Sequence, residues 1–137
     1  MTTEQTKALI DDLYATLGRG DRNHLMEILS EDVVWQMPAS VPDGVLHGRE
    51  RVVRELGTET VRRLFQKGTF RLKIHNIYAD GDTAIVQTNA HAITKEDKVY
   101  DMEYAWIYSC RDGKITYIRE YLDTKRSSDI LGWGETR

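Results

Sequence analysis

The run YDMEYAWIYSCRDGKITYIREYLDT, Tyr100–Thr124, decides how this chain folds. Apolar and polar side chains alternate on both sides of Asp112-Gly113, a dipeptide that favours the tight turn of a β-hairpin. The second arm carries Glu120, Tyr121 and Asp123. A carboxylate on a central strand of a curved sheet is costly to bury unless it is paired or used. A functional site is therefore expected on this hairpin.

Upstream, the same period of two runs through Phe70–Ile74 and Thr83–Thr94, with turns at Asp80-Gly81-Asp82 and Lys95–Lys98. Before Gly68 the period changes to that of a helix. Thr2 and Gln5 have capping-box spacing ahead of Leu9, Ile10, Leu13 and Leu17, and Gly18 and Gly20 stop that run. Asp21 caps a short second helix bearing Leu25, Met26, Ile28 and Leu29. Val33–Met37 reads as a short strand closed by Pro38, and Ala39–Gly48 as a loop. Val52, Val53, Leu56, Val61, Leu64 and Phe65 draw the apolar face of a third helix. Early helices and a late antiparallel meander imply an α+β fold, with the helices covering one face of a curved sheet. Arg126–Trp133 is expected to dock across one end of it.

The 137 residues, 40% hydrophobic and 30% charged, fit one globular domain over residues 1–137. A net charge of −3 with interleaved signs gives no footprint for nucleic acid. No apolar run reaches membrane-spanning length and no signal-peptide pattern opens the chain. The single cysteine, Cys110, rules out an internal disulfide and points to a reducing cytoplasm, where it reads as a small strand hydrophobe. Neither GxGxxG nor a P-loop occurs, and the four histidines lack metal-ligand spacing. No cofactor and no metal are expected. His91 is read as a surface or interface residue.

The words GRGDRNHLMEILSEDVVWQMP, LHGRERVV and RDGKITYIREYLDT, in this order, resemble the SnoaL-like branch of the nuclear transport factor two-like superfamily over nearly the whole chain. The resemblance implies a conical α+β barrel, three N-terminal helices on a strongly curved, mostly antiparallel sheet. It also implies an apolar pocket between helices and sheet, and dimers through the outer sheet face. The fold hosts isomerases, cyclases, hydrolases and plain binding modules. Ketosteroid isomerase carries its base just before a proline in the first strand, where this chain has Met37 before Pro38. Its helix tyrosine would fall near Leu13, one step from Tyr14, and its protonated acid near Ala105. Limonene epoxide hydrolase uses an aspartate in a word that resembles Arg119–Asp123, and Glu120 matches it. Its arginine and second aspartate would fall near Thr88 and Ala90.

Turn lengths then assign faces. A two-residue Glu96-Asp97 turn sets Thr88 opposite Ala105 and Ala90 opposite Glu103. A two-residue Asp112-Gly113 turn sets Ala105 opposite Glu120, whereas a three-residue turn would bring Tyr104 there. The first register makes Glu103 and Glu120 a carboxylate pair in an apolar pocket, one held protonated beside the other. These two are the expected catalytic groups, with Tyr14, Trp35, Met37, Thr88, Ala90 and Ala105 shaping the substrate site. The same register sends Tyr104, Trp106, Tyr108 and His91 to an outer homodimer face. The expected function is cofactor-independent acid/base chemistry by a cyclase, isomerase or hydrolase on a small apolar organic molecule. Non-catalytic ligand binding and dimeric assembly are the alternatives.

Overall fold

The computed structural model describes residues 1–133. Helix α1 (Thr3–Arg19) starts at the expected capping box. The Thr2 hydroxyl accepts from Gln5 N at 3.1 Å, and the Gln5 side chain accepts from Thr2 N at 3.0 Å. Gly20, at φ 66°, ends it in the left-handed conformation that suits glycine. Helix α2 (Arg22–Ile28) is capped by Asp21 and leads directly into β1 (Leu29–Gln36).

The expected loop after β1 contains a short strand, β2 (Val45–His47), antiparallel to β1. The third helix is not uniform. It comprises α3 (Arg49–Arg54), a π turn at Glu55–Glu59, and α4 (Thr60–Leu64). Four strands follow: β3 (Arg71–Asp80), β4 (Thr83–Ile93), β5 (Val99–Arg111) and β6 (Lys114–Leu122). Helix α5 (Thr124–Leu131), capped by Asp123, packs against β5.

The sheet is six-stranded, in the order β2-β1-β6-β5-β4-β3. All its pairings are antiparallel except β1 with β6. It is open and curved around its helices, an α+β architecture as expected. Two apolar clusters fill the concave side. One lies under α1, α2 and α3, around Ile10, Leu13, Val52, Tyr108 and Ile118. The other lies under α4 and α5, around Phe65, Ala90, Tyr100 and Met102. Among the described residues no helix is long and apolar enough to cross a membrane.

Two local features overturn the expected faces. The β4–β5 connection is a three-residue loop, Lys95-Glu96-Asp97. Asp97 N donates to Thr94 O at 3.0 Å, and Asp97 takes φ 63°. Aspartate tolerates this left-handed state, so a type I turn plus one residue replaces the two-residue turn. Thr88 therefore faces Tyr104 and Ala90 faces Met102. The Asp112-Gly113 turn does have two residues, both at positive φ (52° and 77°). Beyond it Thr116 is unpaired, a β-bulge whose hydroxyl donates to Ser109 O at 3.1 Å. The bulge places Glu120 opposite Trp106 rather than Ala105 or Tyr104. A one-residue slip reverses every side chain beyond it, and here two slips cancel for Glu120 but not for β5.

Candidate functional site

Glu120 lies on the concave face between the two clusters, 7% exposed. Among the described residues no cation lies within ion-pair distance of it and no hydrogen bond reaches its carboxylate oxygens. Burial pushes its carboxyl up to about 7 from an ordinary 4.5, and the nearby Trp35 indole pulls slightly the other way. Trp35 Nε1–H is itself buried without a hydrogen-bond partner, so its influence on Glu120 is that of a long, poorly aligned donor.

Aromatic rings surround the carboxyl. Tyr104, Trp106 and Tyr108 form a nearly parallel row on β5, with ring centroids 5.4 and 6.4 Å apart. Trp35, on β1 beside the strand of Glu120, lies 6.1 Å from the Trp106 ring. Strand periodicity makes this row, because residues two apart share a face. The ring tips are tied down. Tyr14 and Tyr108 share a 2.7 Å hydrogen bond, Tyr100 and Tyr104 one of 2.5 Å, and Trp106 Nε1 donates to Thr88 at 3.0 Å. Burial raises the pKa of all four tyrosines further from neutrality, and the negative charge of Glu120 adds to this for Tyr100, Tyr104 and Tyr108. They remain protonated donors at neutral pH, while burial brings the Glu120 carboxyl close to it.

Several sequence expectations meet in this place. Trp35, Thr88 and Ala90 are buried on the concave side, Tyr14 reaches it through Tyr108, and half-buried Met37 packs against the first cluster. Glu103 and Ala105 do not join them. Both face the convex side, bordering an open groove with Gln87 and Tyr121, and Glu103 is exposed. The expected carboxylate pair is therefore absent, and burial rather than a second acid perturbs Glu120. Tyr104, Trp106 and Tyr108 are likewise corrected from a dimer face to the concave wall, whereas His91 is exposed on the convex side. The strand's own alternation could have revealed this. Tyr100, Met102, Tyr104, Trp106 and Tyr108 are all large, while Asp101, Glu103 and Ala105 between them are charged or small and only Ile107 breaks the pattern.

Comparison with known proteins agrees with this architecture. A family model described as a SnoaL-like domain matches residues 10–118. Bal32a, from a soil-derived mobile gene cassette, superposes with a TM-score of 0.82 at 21% identity, over 94% of this chain and 98% of its own. An NTF2-like protein from Burkholderia xenovorans LB400 gives 0.80 at 23% identity, over 96% and 98%. An LEH-like epoxide hydrolase from M. tuberculosis gives 0.72 at 21% identity, over 94% and 90%. No curated protein matches the sequence.

Proposed function

Starting from a chain that belongs to the SnoaL-like domain family, we propose a cofactor-independent acid/base enzyme of cyclase, isomerase or hydrolase type. Its substrate is a small, largely apolar organic molecule held against the concave face, and Glu120 moves the proton. The observation that carries this reading is the unpaired, buried Glu120 carboxyl with its pKa near 7. A base tuned to the working pH combines adequate ionisation with adequate basicity. In its ionised form Glu120 removes a proton from an activated carbon. As the resulting acid it returns that proton to another atom of the same molecule, or to a leaving oxygen. The aromatic walls exclude water and keep the carboxylate reactive.

The test uses 5-nitrobenzisoxazole, whose ring opens when a base removes its carbon-bound proton. The rate is expected to rise with pH and level off above about 7, and Glu120→Gln to lower it at least about 100-fold. A rate unchanged in Glu120→Gln contradicts the assignment. A binding protein without chemistry would retain ligand affinity and show no such pH step.

The convex face carries the second part of the proposal, a homodimer. Tyr78, Ile85 and Tyr121 are 56%, 42% and 45% exposed there. Arg119 lies over the Tyr121 ring at 4.8 Å with one buried guanidinium N–H unpartnered. Contiguous exposed apolar surface of this kind marks interaction sites. The thiol of Cys110 is buried and raised to about 11, an inert core group that suits the cytoplasm we propose for this protein.

A further inference from the structure

The concave face continues beyond Glu120. Its rows cross β5 and β4 to the edge strand β3, where Ile74 lies opposite Thr88 and Leu72 opposite Ala90. Both side chains stand on the concave side, yet they are 39% and 41% exposed. Ile77 and Ala79, on the same face further along β3, pack against the first cluster. The helical run from α3 to α4 begins against β1 and ends where Phe65 bridges to Thr94, so it crosses above β6 and β5. Its middle, the π turn, buries no side chain. Such turns within helices recur at functional sites. An apolar track therefore runs from Glu120, over the tips of Trp106 and Tyr104, to an uncovered end at β3.

At the inner end stands Trp35. Its indole N–H is buried and has only the long, poorly aligned approach to Glu120, which leaves room for a better acceptor brought by a ligand. Beside it, Glu120 has no well-formed hydrogen bond or ion pair among the described residues. A hydroxyl or enol oxygen satisfies both groups, donating to the carboxylate and accepting from the indole. A ligand carboxylate would meet the charge of Glu120, and an ammonium would leave the indole N–H orphaned.

We infer that the substrate is an elongated neutral molecule, with a hydroxyl or enol oxygen seated between Trp35 and Glu120 and an apolar tail running out over Ile74 and Leu72. This rests on the reading above that the concave face holds the substrate. Glu120 and Ile74 are three strand spacings apart, which sets the length at about 14 Å.

A series of 4-alkylphenols, from 4-cresol to 4-hexylphenol, tests this by calorimetric titration. Affinity should tighten about three- to fourfold per added methylene as the tail reaches β3. Leu72→Glu and Ile74→Glu, both at exposed positions, should flatten that dependence and leave 4-cresol affinity unchanged. Trp35→Phe should weaken every member by one common factor, about five- to tenfold. A length dependence unaltered by Leu72→Glu and Ile74→Glu overturns the inference alone. Absence of binding by every phenol to the unaltered protein overturns the ligand-holding concave face along with it.

Discussion

The two faces of the sheet are built from the same strands, often from adjacent residues, yet their physics differ. On the concave side Glu120 sits among aromatic rings with no cation beside it among the described residues, and burial pushes its carboxyl up to about 7. On the convex side Glu103 is exposed to water, and Arg119 lies across Tyr121. Two irregularities divide the faces, the left-handed Asp97 and the bulge at Thr116. The proposed chemistry and the proposed contact surface are thus separated by which side of a strand a residue takes, and that side depends on single residues far from the site.

The largest expected effect comes from adding one more slip beyond the divider. Inserting an alanine between Tyr117 and Ile118 shifts the strand by one residue and turns Ile118, Glu120 and Leu122 outward. Loss of cooperative urea unfolding is the expected result, and a variant of native stability would show that strand register does not set the face. Next, Tyr108→Ala on the concave side should cost about 3–5 kcal/mol by denaturant titration. Tyr78→Ala on the convex side should cost under about 1 kcal/mol.

Glu120 gives a pH-dependent version of the same contrast. Its pKa is higher folded than unfolded, so its contribution is fully present below 4.5 and is lost as pH rises through about 7. Over that window stability should fall by about 3 kcal/mol. Glu120→Gln should recover most of this at pH 8 and change nothing at pH 4, whereas Glu103→Gln should be nearly silent at both. A smaller effect lies outside both faces. His24 bridges Asp12 at 2.7 Å and Glu27 at 3.2 Å, tying α2 to α1, and its hydrogen bond to Asp12 leads the causes that raise its pKa. Its contribution is present below 6.5 and lost as pH rises through the higher folded value. His24→Gln should remove a shallow decline in melting temperature above pH 6.5 and leave the Glu120 window intact.

Much of the architecture was legible because it rests on local chemistry. The Thr2–Gln5 capping box, the Asp21 cap and the Asp112-Gly113 turn all form as their residue types require. The concave placement of Thr88 and Ala90 was also legible, whereas that of Glu120 follows from the expected register only because two slips cancel. The face of β5 was misread because turn length was allowed to outweigh the alternation within the strand. The bulge had a mark too, since the buried residues Ile115 and Ile118 are three apart where an even strand requires two or four. Short β2 carries only three residues and left no periodicity to read. The π turn left no mark either, because its Glu55–Glu59 segment fits an α-helix equally well. The open end at Leu72 and Ile74 depends on which helices cover the sheet, a tertiary fact that strand pattern does not contain.

The central claim is that burial without a partner makes Glu120 the group that titrates near neutrality. Selective carbon-13 labelling of glutamate, with Glu120→Gln used to assign its side-chain carboxyl resonance, measures this directly. A titration midpoint close to 7 is predicted. A midpoint at the ordinary 4.5 would show a solvated or paired carboxylate and contradict both the buried site and the chemistry proposed for it.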